Sequence, residues 1–364
     1  MSDRLSVQLD RLAAFDSGAS PVISLYLNMQ PDQHGRDNFE PFLRKELADR
    51  VRTFGADGPE RKGLERDAER IRAYVERVDG SVNGLAVFAC SGADLFEPIP
   101  LAAPFHEHRL YISGQPHLYP LARVLDAYPR YAVLLADTRS ARLFVVAENT
   151  VREAGQVEGT RTKRHKMGGW AQARYQRHVA NYHAQHAKEV VDALARIVRD
   201  EDVEAIILAG DEVVVPLLRA QMPKELSDRV VDVLKLDIRT GAREVLDATI
   251  AAMHEKEAET DREKVEQLLD AYRANGLAVV GLTETARALQ MGQVDELIIT
   301  AVPEGAGAGA ATSGESSGGR VLEERAADEL VVKARQTAAN IRFIDDASLL
   351  AAAGGVGALL RFKL

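Results

Sequence analysis

The sequence predicts a three-domain chain that mixes α/β and α+β architecture. Short β-rich runs alternate with amphipathic helical runs along its length, the pattern of sheets covered by helices. Two punctuated stretches, Tyr128-Pro129 and IRTGA (238–242), divide the chain into three blocks. The length of 364 residues suits two or three domains. The expected divisions are 1–127, 128–239 and 240–364.

The first block reads as α+β. PVISLYLN (21–28) is a β-rich run. Phe39, Leu43, Leu47 and Val51 then recur at helical spacing, and Leu64, Ala68, Ile71, Val75 and Val78 mark a second amphipathic helix. GLAVFAC (84–90) and DLFEPIPL (94–101) read as strands joined by a turn at Ser91-Gly92.

The second block opens with a hairpin pattern, YAVLLADTRSARLFVVAE (131–148), turning around Thr138–Ser140. A long helix is expected from about Ala171 to Arg199. Tyr175, Val179, Tyr182, His186, Val190, Leu194 and Val198 form its apolar face, and Arg174, Arg177, His178, Asn181, Gln185 and Lys188 lie elsewhere, free for solvent or RNA. EAIILAG (204–210) reads as a buried strand turning at Gly210, and VVDVLKLD (230–237) as another, with helical segments between them.

The third block starts with a charged helix at 243–273. GLAVVGLTETARALQMGQVDELIIT then reads strand, helix, strand, with Thr283 at or near the helix N-cap and Gly292 at its end. EGAGAGAATSGESSGG (304–319) has loop composition. A helix at about 323–339, a strand IRFI and GGVGALLRF close the chain. No internal repeat is visible.

Composition excludes several classes. The one cysteine, Cys90, rules out an internal disulfide framework and a multi-cysteine zinc site, and its place in GLAVFAC suits a core thiol. No secretory h-region opens the chain, and no run of about 18 apolar residues suggests a membrane span. A cytoplasmic protein is expected, with no membrane partner and no cofactor.

Charge singles out 159–188. The chain is acidic, with net charge −9, yet this window holds no Asp or Glu; it holds seven Lys or Arg and four of the nine His. A basic segment inside an acidic protein is an electrostatic footprint for polyphosphate. At its centre Gly168-Gly169 precedes Trp170, with Gln172 two residues on. Paired glycines let a backbone approach another surface closely. The alternative is a loop before a helix, with Trp170 as a packing residue.

The ordered blocks resemble the archaeal and eukaryotic class-one peptide release factors and their relative Pelota. DRLAAFDSGASPVISLYLN and SVNGLAVFAC look like that family's first domain. YAVLLADTRSARLFVV looks like the start of its RNase H-like middle domain. VVGLTETARALQMGQVDELIIT looks like its third domain, whose fold is that of kink-turn-binding ribosomal proteins. The family carries Gly-Gly-Gln in a basic loop before a long helix. Gly168 and Gly169 match, Trp170 stands where the glutamine would, and Gln172 is displaced by two residues. Vms-type hydrolases also depart from the strict spacing. The stop-codon-reading Asn-Ile-Lys-Ser motif is absent. That brings the chain nearer to bacterial members of the superfamily such as the hibernation factor Balon.

The resemblance implies a ribosome-binding translation factor that acts on the A site without reading a codon. Gly168, Gly169, Trp170 and Gln172 would serve peptidyl-tRNA ester hydrolysis during rescue. Arg161, Lys163, Arg164, His165, Lys166, Arg174, Arg177, His178 and Lys188 would hold RNA. Glutamine can orient water without titrating, since it is both donor and acceptor. Trp170 could stack on a base, an interaction worth roughly 1–3 kcal/mol. A translational GTPase such as EF-Tu is the implied partner, and a monomer the implied state. The alternatives are a non-catalytic hibernation factor of stress conditions and a different RNA- or RNP-binding protein.

Other motifs read as structural. His183 and His186 stand at i, i+3, a workable ligand spacing, but lack a nearby carboxylate or cysteine before Glu189, so no metal site is expected. His106-Glu107-His108 reads as a strand edge. Gly210-Asp211 is not followed by a phosphate-binding loop. The acidic residues of 255–266 read as a solvated face, with docking of a basic partner as the second option.

Overall fold

The computed structural model describes residues 2–31, 39–55, 58–147, 150–158, 170–301 and 322–363; side chains of 2–4 and 170–180 are outside that description. The chain divides into two compact units, Met1–Tyr128 with Thr260–Leu364, and Pro129–Glu259.

The N-terminal segment begins with α1 (Ser2–Ala13), β1 (Val22–Asn28), α2 (Phe39–Arg52) and α3 (Pro59–Val75). It continues with β2 (Gly84–Cys90), β3 (Leu95–Leu101), β4 (Arg109–Ser113) and α4 (Tyr119–Ala127). Its antiparallel sheet runs β3-β2-β1-β4. Strand alternation sends Ile23, Leu25, Leu27, Leu85 and Val87 toward α2 and α3, where Leu43, Leu47, Leu64 and Ile71 meet them. Tyr26, Ala86 and Phe88 face the other way, toward α1 and α4. Cys90 is buried, as its apolar run suggests. The β4 strand and the helices α1 and α4 have no counterpart in the expected elements. The last of these begins with a Tyr-Pro pair and buries Tyr119, Leu121 and Ala122, which leaves little amphipathic period to read.

The middle unit contains β5 (Tyr131–Ala136), β6 (Ser140–Ala147), β7 (Thr150–Glu158), α5 (Trp170–Asp200), β8 (Ala205–Gly210), α6 (Val214–Gln221), α7 (Lys224–Ser227) and β9 (Val230–Leu234). The sheet order is β7-β6-β5-β8-β9. β5, β6 and β7 pair antiparallel, while β5, β8 and β9 pair parallel. The hairpin turn is set by Asp137, whose Oδ1 accepts the N–H of Arg139 and of Ser140, each at 2.7 Å. On one face of the sheet Ala132, Leu134 and Leu208 pack on Val190, Leu194 and Val198 of α5 and Leu218 of α6. On the other, Tyr131, Val133, Phe144 and Ile207 pack on Val245, Ala252 and Met253. Those three belong to α8 (Ala242–Arg273).

The sequence boundary at 238–242 therefore falls inside this unit. Arg142 donates to the carbonyls of Ile238 at 3.3 Å and Thr240 at 2.8 Å, and the first half of α8 completes the core, so the division between units lies at Glu259 and Thr260. Gly210 ends β8 where a Cβ would sit 2.4 Å from the Ala136 carbonyl, a gap only glycine fits.

The C-terminal segment adds β10 (Ala278–Val280), α9 (Leu282–Gln290), β11 (Val294–Thr300), α10 (Glu324–Gln336), β12 (Asn340–Ile344) and β13 (Val356–Leu360). The sheet order is β10-β13-β11-β12, with β11 and β12 parallel and the other pairs antiparallel. α9 starts after Gly281, at φ +84°, so the N-cap is a glycine and Thr283 sits in the first turn. Leu297, Ile299 and Val356 face α9 and α10; Ile298 and Ala278 face Leu268 of α8. The core on the α10 side also takes in Leu5, Leu9, Tyr26, Phe88, Leu118 and Leu121, so the two terminal segments share one apolar interior.

Candidate nucleic-acid interface

Two regular elements flank the basic segment in the chain. β7 leads into it, registered on β6 as far as Ser140 opposite Glu158. α5 leads out of it, starting at Trp170 and running 31 residues to Asp200. Of the expected site residues, Arg161, Lys163, Arg164, His165, Lys166, Gly168 and Gly169 lie outside the described residues. Trp170, Gln172, Arg174, Arg177 and His178 fall within α5, where the backbone alone is described. Lys188 is described and exposed.

The register of α5 separates two faces. Ala187, Val190, Val191, Leu194 and Val198 are buried against the sheet. Asn181, Gln185 and Lys188 are exposed. At about 100° per residue these three stand opposite the centre of the buried face, and positions 174, 177 and 178 share their stripe. Gln185 donates to Glu189 at 3.0 Å. The first turn of any α-helix carries backbone N–H groups with no intrahelical acceptor, here those of residues 170–173. They add positive potential where the basic segment joins the helix.

His186 lies on the buried face of α5, as its spacing to Val190 and Leu194 requires. It is buried, and its ring nitrogens make no well-formed hydrogen bond, the Ser140 backbone giving only a weak one. Burial holds its pKa below the ordinary histidine value, against the opposing pull of Glu189 and Asp137. Its neutral form is therefore the folded form, and acidification below the ordinary value of 6.5 destabilises the middle unit by favouring the protonated unfolded chain. His186→Leu is expected to remove that acid sensitivity and to be neutral or stabilising by about 1 kcal/mol, because it removes poorly paired buried polar atoms. Thermal melts at about pH 5.5 and pH 7.5 check this; an equal acid loss in the variant would contradict it.

The remaining candidates are structural. Among the described residues no group of three or more His, Cys, Asp or Glu is placed to hold a metal ion. Asp211 caps α6, accepting the N–H of Val213 at 2.9 Å and Val214 at 2.8 Å. His108 accepts the Asn28 N–H through Nδ1 at 3.2 Å and packs on Phe42. Asp261 of the acidic helix is buried and pairs with Arg342 at 3.4 Å, so that helix is not wholly solvated. No described helix is long and apolar enough to cross a membrane. A cleft of about 1030 Å³ lies in the N-terminal segment, lined by Met29, Phe39, Arg44, Arg72, Glu76 and Val78 among others. Sequence periodicity does not reveal it, because α2, α3 and the β1 end contribute separately.

Residues 116–254 match the bacterial archaeo-eukaryotic release factor family 10. Residues 258–364 match the third domain of eRF1. Peptide chain release factor subunit 1 of Methanopyrus kandleri is 26% identical over 219 residues, 58% of this chain and 52% of that protein. The Pelota homologue of Pyrococcus furiosus is 28% identical over 186 residues, 48% of each. The chain thus spans about half the length of the curated relatives it matches. The structure of ribosome-bound archaeal Pelota and ABCE1 is similar over 100% of this chain and 95% of that one, at 15% identity and a TM-score of 0.44.

Proposed function

We propose, from the premise that this chain is homologous to archaeal release factor 1 and Pelota, that it is a translation factor of the ribosomal A site that rescues stalled ribosomes by hydrolysing peptidyl-tRNA. The observation that carries the reading is the basic Gly-Gly segment 159–169 mounted directly before α5, inside the stretch that matches a release-factor family. Binding is codon-independent, since the codon-reading motif is absent. The N-terminal segment faces the decoding centre, the middle segment the peptidyl-transferase centre, and the C-terminal segment a translational GTPase such as EF-Tu. The factor acts in the cytoplasm as a monomer. The mixed sheet β7-β6-β5-β8-β9, with helices on both faces, supports an RNase H-like middle domain.

The chemistry follows from what ester hydrolysis needs: a positioned water and donors for the developing oxyanion. Gln172 would orient the water through its amide. Backbone N–H groups around Gly169 and Trp170 would meet the oxyanion, in a pocket too crowded for a Cβ. Lys and Arg on either side would hold rRNA and tRNA phosphates.

One observation favours a second reading. Trp170 stands at the family's glutamine position, and an indole has a donor but no acceptor for water. On that reading the chain occupies the A site of idle ribosomes and protects them without chemistry. Single-turnover peptide release from ribosomes carrying peptidyl-tRNA and no stop codon separates the two. Release above the spontaneous rate is expected. Stable binding with no release would transfer the assignment to hibernation, and no ribosome binding would remove both.

A further inference from the structure

The seam between the terminal segments is polar at its centre, and His117 occupies that centre. From the N-terminal side its backbone is fixed twice: its N–H donates to Ser24 Oγ at 3.0 Å, and the Tyr26 hydroxyl donates to its carbonyl. From the C-terminal side α10 brings two carboxylates to the ring. Asp328 Oδ2 lies 3.1 Å from Nδ1, and Glu324 Oε1 lies 3.4 Å from Nε2. An imidazole can donate to both only when both nitrogens carry protons.

The surrounding groups reinforce that state. Tyr111 stacks on the ring at 3.7 Å and donates its hydroxyl to Glu324 at 2.5 Å. Arg109 pairs with the same Glu324 oxygen at 2.5 Å. Asp328 also accepts the N–H of Leu118 at 2.7 Å and of Tyr119 at 2.9 Å, at the start of α4. Burial opposes the charge on His117, but Asp328 and Glu324 outweigh it and raise the pKa. Burial likewise opposes ionisation of Glu324, and here His117, Tyr111 and Arg109 prevail, lowering it to about 2.

A buried carboxyl group sits on the same seam. Asp126 of α4 accepts the N–H of Phe343 in β12 at 3.1 Å. Arg342, Asp261 and Asp345 act on it from the C-terminal segment, and Arg335 of α10 lies within its field. Burial raises Asp126 to about 7, against the Phe343 N–H and Arg342.

We propose that the seam is a proton-held latch, in which His117 and Asp126 keep the N-terminal segment closed on α10 and β12 while protonated and loosen it as they lose their protons. Both groups act with one sign. The contribution of His117 is full below its ordinary 6.5 and is lost as pH rises through its raised value. That of Asp126 is full below 3.8 and is lost as pH rises through about 7. The contribution of Glu324 is present above 4.5 and fails only toward about 2. Once His117 is neutral, one ring nitrogen is a lone pair facing a carboxylate. Once Asp126 ionises, it adds a third carboxylate charge beside Asp261 and Asp345.

The test is hydrogen exchange of the full chain at about pH 6 and pH 8.5, corrected for intrinsic rates, read on peptides of α10 and α4 with β5 of the middle unit as control. Protection at α10 is expected to fall on the order of tenfold or more at the higher pH while β5 holds steady, and the fall is expected to vanish in the His117→Gln, Asp126→Asn double variant. Equal protection of the wild type at both pH values, or a fall of the same size in the variant, overturns the proposal. An NMR titration of His117 in the wild type decides the matter should the variant misfold. A midpoint above 6.5 supports the latch, and one below it refutes it.

Discussion

Gln172→Ala is expected to slow single-turnover peptide release on the order of a hundred- to a thousandfold, the usual cost of removing one preorganised group at an acyl-transfer centre. Ribosome affinity is expected to stay within about twofold, because a neutral amide contributes nothing to counterion release. The split between rate and affinity is the informative part. Position 172 lies in the first turn of α5, so its backbone is held by the helix. Alanine is the best helix former, so the substitution leaves that backbone in place. A loss of rate at unchanged affinity then reports the side chain. An unchanged rate would place the chemistry on the backbone N–H groups near Trp170, and Trp170→Pro, which removes one of them at the helix start, would become the next variant. An undetectable rate in the wild type would end the hydrolytic reading.

Reversing Arg161, Lys163 and Arg164 to Glu is expected to weaken ribosome binding roughly a hundredfold at physiological salt, about fivefold for each phosphate left without its cation. The slope of log affinity against log salt is expected to shrink by about one for each such phosphate. Rescue and hibernation both require this result, since each needs the basic segment to bind RNA. Co-sedimentation with ribosomes across a salt series measures it. Unchanged sedimentation with an unchanged slope would show that the window does not bind the ribosome. The chain's acidic balance sharpens the experiment: with net charge −9, non-specific attraction elsewhere is weak and the local change dominates.

The helix at the site was legible because a 3.6-residue period over thirty residues is a strong signal. The expected span of about 171–199 compares with Trp170–Asp200, and Val190, Leu194 and Val198 are buried as their spacing required. The hairpin turn at Thr138–Ser140 was legible because Asp137 before it offers a side-chain oxygen to the turn N–H groups of Arg139 and Ser140. β7 was not legible. Its residues, TVREAGQVE, are mostly exposed or half-buried and carry little alternation, so their pairing with β6 supplies what composition lacks. β4 was not legible for a related reason: RLYIS buries only Leu110, so no apolar alternation marks it.

The sequence alone determined which segments are helix and strand where the apolar period is long, where the anomalous positive charge lies, and that paired glycines precede a long helix. These properties are local, set by neighbours within a turn or a strand, and local spacing encodes them. The tertiary structure alone decided that residues 1–128 and 260–364 form one unit, that half of α8 serves the middle core, and that His117 lies between Glu324 and Asp328. Those pairings join residues some two hundred positions apart. No period of the chain records them, because they exist only once the sheets have buried their faces and brought distant polar groups into one poorly solvated seam.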